Sequence, residues 1–153
     1  DRWWSGRKLI SSLSNNAKFF SSKINAVLPD NDIENRLFFA KMITNHAYSL
    51  KETLRFGVKF DELIETTPGE LKELKKVYHV PSEISAQLAM KLTELHKKGV
   101  INPMEYWQMH KFIDIMTNVV GDSERIRTSP VPHAYTSHLD KYKIIFVALM
   151  PFA

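Results

Sequence analysis

Histidines are the side chains of this sequence that could bind a metal, and there are six of them. They are His46, His79, His96, His110, His133 and His138. A helical pair of histidine ligands needs three intervening residues, and none of the six has a partner at that spacing. His133 and His138 are five apart, which places them on different faces of a helix. Because the chain also has no cysteine, we expect neither a metal site nor a disulfide.

The patterns that serve catalysis or phosphate binding are also weak. The five glycines are isolated from one another, so no glycine-rich loop can cradle a phosphate. No serine lies in the strand–turn–helix elbow of a nucleophile. Carboxylate pairs such as Glu62 and Glu65 more often form a solvated helix face than an acid–base dyad. We therefore expect no enzyme activity and no bound cofactor.

Composition describes a chain that folds into one compact domain. It has 153 residues, of which 44% are hydrophobic and 25% charged, which excludes disordered and collagen-like classes. The net charge of +4 is spread along the chain, whereas nucleic-acid binding requires basic residues clustered on one face. No run of about 18 uncharged apolar residues occurs, so no segment is expected to span a bilayer unaided.

The two ends of the chain carry signals of a membrane boundary. Arg2-Trp3-Trp4, followed by Arg7 and Lys8, has the aromatic and basic residues of a helix that leaves a lipid interface. A buried aromatic pair with exposed arginines is the alternative. Residues 144–153 include nine apolar residues and no charge, and as a helix they would span about half of a hydrocarbon core. The alternative here is a buried terminal helix or strand. We expect the chain to be a piece of a longer protein.

Between the ends the hydrophobic period is helical, and the sequence predicts an all-α fold. A first helix is expected to end at Leu28 because Pro29 follows. A second is expected to begin at Asn31 or Asp32 and to end before Gly57. Ser82 is expected to cap a later helix that stops at Gly99.

A further helix is predicted to start at Asn102-Pro103 and to run to about Val120. Asn102 can cap it, with Glu105 closing a capping box. Its apolar face is predicted to comprise Met104, Gln108, Phe112, Ile115 and Val119. Turn residues then fill 121–132, and helical spacing resumes at His133.

Two late motifs have more than one interpretation. Glu124-Arg125-Ile126-Arg127 can form a buried paired network or a solvated charge run, which is the commoner outcome. Pro130 and Pro132 enforce a kinked path, and basic and aromatic residues follow just before the apolar end. That order matches the flank of a spanning helix on its cytoplasmic side.

The two motifs together resemble the bestrophin-like family in its bacterial branch. The first is Asp1-Arg2-Trp3-Trp4 with Arg7-Lys8-Leu9. The second is Glu124-Arg125-Ile126-Arg127-Thr128, with Pro130, Val131, Pro132, Ala134, Tyr135, His138 and Leu139. Both match in order and separation, and the resemblance covers essentially the whole chain.

The resemblance implies the helical cytosolic region of a pentameric ion channel of the cell (inner) membrane, usually a chloride channel. Residues 1–132 would be the cytosolic helices between the second and third membrane helices, and residues 133–153 the approach to the third and its first half. The implied partners are further copies in a homopentamer, the lipid bilayer and permeant inorganic ions, with no nucleic acid. The calcium site of animal members belongs to a later region, so none is assigned here.

The resemblance also implies roles for particular residues. Arg2, Trp3 and Trp4 would anchor the chain at the membrane interface. A second motif would serve subunit packing: Glu124, Arg125, Pro130, Pro132, Tyr135 and His138. Met104, with Ile101 as its neighbour, would form an apolar constriction near the cytosolic exit, although Met104 could equally be a core residue. A different class of function, a soluble helical module that binds a protein partner through apolar helix faces, is the alternative.

Overall fold

The computed structural model describes residues 2–55, 57–66, 68–129 and 133–149, and all regular secondary structure in them is helical. The helices are α1 (Arg2–Val27), α2 (Ile33–Arg55), α3 (Glu70–Leu74), α4 (Val80–Lys97), α5 (Pro103–Thr128) and α6 (His133–Leu149), with a 3₁₀ turn over Phe60–Glu62. The all-α prediction is confirmed.

Helices α1 and α5 run antiparallel through the centre of the bundle. The Asn16 side-chain amide donates to the carbonyl oxygen of Phe112 at 2.7 Å, and the rings of Phe20 and Phe112 stack with centroids 5.7 Å apart. Phe20 also meets Phe39 of α2 edge-on at 5.9 Å. Phe20 is completely buried, so this aromatic cluster joins three helices at the core.

The antiparallel packing gives the bundle two distinct ends. Ile10 of α1 shares a groove with Leu54 at the end of α2, and His79 before α4 contacts Glu124 near the end of α5. The start of α1, the end of α2, the start of α4 and the end of α5 therefore lie together. We call this the tryptophan end, after Trp3 and Trp4. The opposite end contains the start of α5, and we call it the methionine end, after Met104.

The end of α5 differs from the prediction. The helix does not stop near Val120 but continues through Gly121 to Thr128. Gly121 is not among the glycines with positive φ, so it keeps the helical conformation and terminates nothing. The Glu124–Arg127 motif consequently lies on the last turns of a helix instead of in a turn segment.

The start of α4 also differs. Pro81 does not delay the helix, because a proline fits within a first turn where its missing N–H has no partner to lose. The helix begins at Val80, and the cap is His79, whose Nδ1 accepts from the Ser82 backbone N–H at 3.2 Å. Ser82 is therefore capped and is not itself the cap.

The buried face of α5 differs from the predicted one as well. Its buried residues are Met109, Ile113, Met116, Val119 and Val120. Three residues of the predicted apolar face are exposed instead: Met104, Gln108 and Ile115. The apolar residues of this helix fit two neighbouring phases, and packing against α1 and α4 selects the one that the sequence alone did not favour.

Candidate functional site

The first turn of α5 presents Met104 at the methionine end. A capping box fixes this turn: the Glu105 backbone N–H donates to the Asn102 side chain at 2.9 Å, and the Asn102 N–H donates to the Glu105 carboxylate at 3.0 Å. Met104 is 69% exposed, whereas Ile101 is 1% exposed. The alternative in which Met104 is a core residue is therefore wrong, and of the two constriction candidates only Met104 faces outward.

Trp107 lies one turn after Met104 and is equally exposed. Its neighbour Tyr106 stacks on His96 with centroids 4.7 Å apart, and His96 Nδ1 contacts the Ile101 carbonyl oxygen at 3.1 Å. These contacts join the end of α4 to the first turn of α5, beside the exposed side chains. Sequence reasoning missed Trp107, although its i+3 spacing from Met104 was a usable signal.

Trp3 and Trp4 at the opposite end are exposed, at 67% and 64%. Their rings lie 6.0 Å apart, and the guanidinium of Arg7 sits 4.9 Å from the centroid of the Trp3 ring. The alternative of a buried aromatic pair is wrong. Amphipathic rings beside a cation form a surface suited to a lipid headgroup region. The Arg2 side chain lies outside the described part of the chain.

The charged motif at the end of α5 connects to two other helices. Glu124 Oε1 lies 2.6 Å from Nε2 of His79, and the Arg127 guanidinium donates to the Thr53 carbonyl oxygen at 2.6 Å. Arg125 is exposed and pairs with Asp122 at 3.4 Å. The motif is thus neither one buried network nor a purely solvated run, since two of its charges tie α5 to α4 and α2.

The remaining motif residues are at or beyond the start of α6. Pro130 and Pro132 lie outside the described residues, as does the side chain of Tyr135, while His138 is exposed. Five apolar side chains further along α6 are also exposed: Ile144, Ile145, Phe146, Val147 and Leu149. The alternative of a buried terminal helix is wrong for these residues. None of the helices within the described ranges is both long and apolar enough to cross a bilayer.

His46 was not predicted to be unusual. It is fully buried on α2, and neither ring nitrogen has a hydrogen-bond partner. Burial, and secondarily the charge of nearby His79, lowers the pKa of His46 to about 4, so the ring is neutral near pH 7. Across the described ranges no three or more His, Asp or Glu side chains are grouped so that they could hold a metal ion.

Comparison with known proteins identifies the family of this chain. The family model described as Bacterial/Fungal Bestrophin protein matches residues 1–153. The chain belongs to this bestrophin family. The resemblance drawn from the tryptophan and Glu-Arg-Ile motifs is thereby confirmed.

Individual bestrophin relatives match the sequence of this chain over nearly its whole length. A voltage-dependent anion channel-forming protein of Nostoc sp. is 24% identical over 158 residues, covering 99% of this chain and 51% of that protein. A protein of the same name from Synechocystis sp. is 24% identical over 156 residues, again with 99% and 51% coverage. The chain spans about half the length of the curated relatives it matches.

A solved structure shows the same bestrophin fold. A mutant of a bacterial bestrophin homolog from Klebsiella pneumoniae superposes with a TM-score of 0.89 at 24% identity, covering 99% of this chain and 57% of that chain. At that identity the likeness establishes the arrangement of the helices, and the functional argument rests on the family and on the side chains described above.

Proposed function

We propose that this chain is the water-side helical region of a bestrophin anion channel subunit, which lets anions, chloride among them, cross the membrane passively. The observation that carries the proposal is the family match over residues 1–153, together with relatives that are named for forming anion channels. Those relatives are named as channels and not as enzymes, which supports passive conduction over catalysis.

In this proposal the tryptophan end of the bundle meets the bilayer of the cell (inner) membrane. Trp3 and Trp4 project from it, and α6 leaves from it because α5 ends there. Residues 1–132 are then the cytosolic helices, and 133–153 lead into a membrane helix. The exposed apolar side chains of α6 support this placement, because such a surface is stable only when lipid or protein covers it.

The conducting unit is proposed to be a homopentamer with Met104 at the far opening of an axial path. Met104 is about 31 Å from Arg125 along α5, at a rise of 1.5 Å per residue, which separates it from the proposed lipid boundary. A ring of exposed apolar side chains can restrict ion flow by dewetting. Ile101 is buried and has no place in this ring.

The second motif is proposed to support subunit packing. Arg125 is an exposed member of this motif, and its guanidinium pairs with Asp122 on the same helix. Glu124 already binds His79, so its contribution is to hold the end of α5 in place. In the pentamer Arg125 would then face a neighbouring subunit, below the membrane.

Reconstitution of the intact protein into chloride-loaded liposomes tests the channel. We expect chloride efflux down its gradient, with protein-free liposomes as the control. Liposomes that contain the folded protein and retain their chloride would contradict the proposal.

A second candidate function is supported by a groove of about 950 Å³ between α1, α2 and α5. Apolar side chains line it, among them Leu13, Ala17, Ile43, Leu54 and Val119. Such a groove can receive an apolar helix face from a protein partner. Absence of flux from the intact protein, combined with a stable complex in which a partner protects this groove, would favour a binding module over a channel.

A further inference from the structure

A second cavity, of about 520 Å³, lies at the tryptophan end between the end of α2, the start of α4 and the end of α5. We call it the basic pocket. Its lining residues include Thr53, Arg55, Tyr78, His79, Val80 and Arg127. The volume falls within the range of about 300–1,000 Å³ that is usual for small-molecule sites. It is much larger than a halide ion requires.

The positive charge of the basic pocket comes from two guanidinium groups. Arg127 is held in position by its bond to the Thr53 carbonyl oxygen. Arg55 is exposed, and within the described part of the chain it makes no hydrogen bond or ion pair. Since a guanidinium binds phosphate oxygens in pairs, two of them around one cavity form a natural site for a phosphate group.

The start of α4 adds to this field. Val80, the first residue of that helix of 18 residues, lines the pocket, and a helix N-terminus carries a partial positive charge. His79 also lines the pocket, with its Nδ1 accepting from the Ser82 backbone N–H and its Nε2 facing Glu124.

The two carboxylates nearest in sequence to these segments have direct partners of their own. Glu124 is bound by His79 at 2.6 Å, and Glu52 is buried beside Lys51 at 2.9 Å. The hydrogen bond from Lys51, and more weakly the Arg55 charge, lower the pKa of Glu52, but no ion pair joins Arg55 to either carboxylate within the described residues. The lining of the pocket itself includes two guanidinium groups and no carboxylate.

We propose that the basic pocket binds a phosphate group, either of an anionic phospholipid headgroup or of a soluble phosphate ester. Binding of the phosphate itself rests on the pocket alone. The lipid source additionally rests on the proposed position of the tryptophan end at the bilayer. A bound phosphate would join α2, α4 and α5 at the level where α6 departs.

The test measures thermal stabilisation and calorimetric binding of the intact protein in neutral detergent, with inorganic phosphate added against chloride at matched ionic strength. Arg55→Gln removes the cation without breaking a hydrogen bond or ion pair of the described residues, and we expect roughly tenfold weaker phosphate binding. Lys97→Gln, the same charge change at the far end of α4, should bind like the unmodified protein. Arg55→Lys should retain part of the affinity, because one point charge remains.

A parallel titration with short-chain phosphatidylglycerol, against short-chain phosphatidylcholine, separates the two sources. Arg55-dependent binding of both phosphatidylglycerol and inorganic phosphate assigns the site to a lipid headgroup. Binding of inorganic phosphate alone assigns it to a soluble ester. Absence of binding, or equal binding by folded Arg55→Gln protein, overturns the proposal. A protein that binds phosphate but conducts no chloride contradicts only the channel function.

Discussion

His46 is a buried titratable group whose contribution to the free energy of unfolding depends on pH. Both ring nitrogens lack partners, and the pKa of the ring is lowered from 6.5 to about 4 by burial and by His79. In the unfolded chain the same ring takes up a proton near its ordinary pKa. Between about pH 4 and 6.5 the unfolded chain therefore binds a proton on His46 that the folded chain does not bind.

We expect the unfolding free energy to fall as the pH drops from about 6.5 towards 4 and to level off below the pKa of the folded state. The contribution of His46 is about 3 kcal/mol in full, since one pKa unit corresponds to about 1.4 kcal/mol. His46→Leu should remove this part of the slope, because leucine neither titrates nor leaves buried polar atoms unpaired. Urea unfolding at a series of pH values measures it.

His138→Leu is the matched control for this substitution, because His138 is exposed. The His138→Leu variant should lose as much unfolding free energy on acidification as the unmodified chain. If His46→Leu shows the same slope as His138→Leu, the buried ring is not the source of the pH dependence.

Some of these residue environments could be read from the sequence and others could not. Asn102 and Glu105 form the predicted capping box because its contacts are local. The environment of Met104 depends on helical phase, where an offset of one residue turns a side chain by about 100°. His46 gave no signal, since its isolation results from contacts that α2 makes with distant segments.

Among the helices, α5 determines the geometry of the site. Pro29 ends α1 and Asn102-Pro103 begins α5 as predicted, because caps and prolines act within one turn. The continuation through Gly121 was not predictable from local preference, which disfavours glycine inside a helix by about 1 kcal/mol. Burial of Met116, Val119 and Val120 beside it offsets that cost.

Asn102→Ala should lower the unfolding free energy by about 1 kcal/mol, because the Glu105 N–H loses its capping acceptor at the start of α5. Asn118→Ala is the matched control, an exposed position in the interior of the same helix. There alanine should be neutral or slightly stabilising. Equal effects of the two substitutions in chemical unfolding followed by circular dichroism would contradict a specific role for the cap.

The molecule as a whole has two chemically different ends joined by α1 and α5. The individual motifs were visible in the sequence, and the family resemblance implied that both lie next to the membrane. The antiparallel contacts that bring them to one end, such as Asn16 with Phe112 and His79 with Glu124, could not be read from the sequence. The basic pocket is of the same kind, since its residues come from three separate segments.

The chain expressed by itself should associate into oligomers that detergent disperses. The exposed apolar side chains of α6 and the groove between α1, α2 and α5 together form a surface too large to remain in water. Light scattering with and without a mild detergent measures this. A clean monomer in the absence of detergent would contradict the proposed burial of these surfaces against lipid or neighbouring chains.

The central claim, that anions pass the exposed side chain at the start of α5, is tested most directly by one pair of substitutions. Met104 and Met90 are equally exposed, at 69% and 70%, but Met90 lies in the interior of α4 and not at the methionine end. In chloride-flux measurements on the intact protein in liposomes, Met104→Ala should raise the flux roughly twofold or more, because a smaller apolar ring dewets less readily. Met90→Ala should leave it unchanged. Identical flux through both variants and the unmodified protein would contradict the placement of Met104 on the ion path.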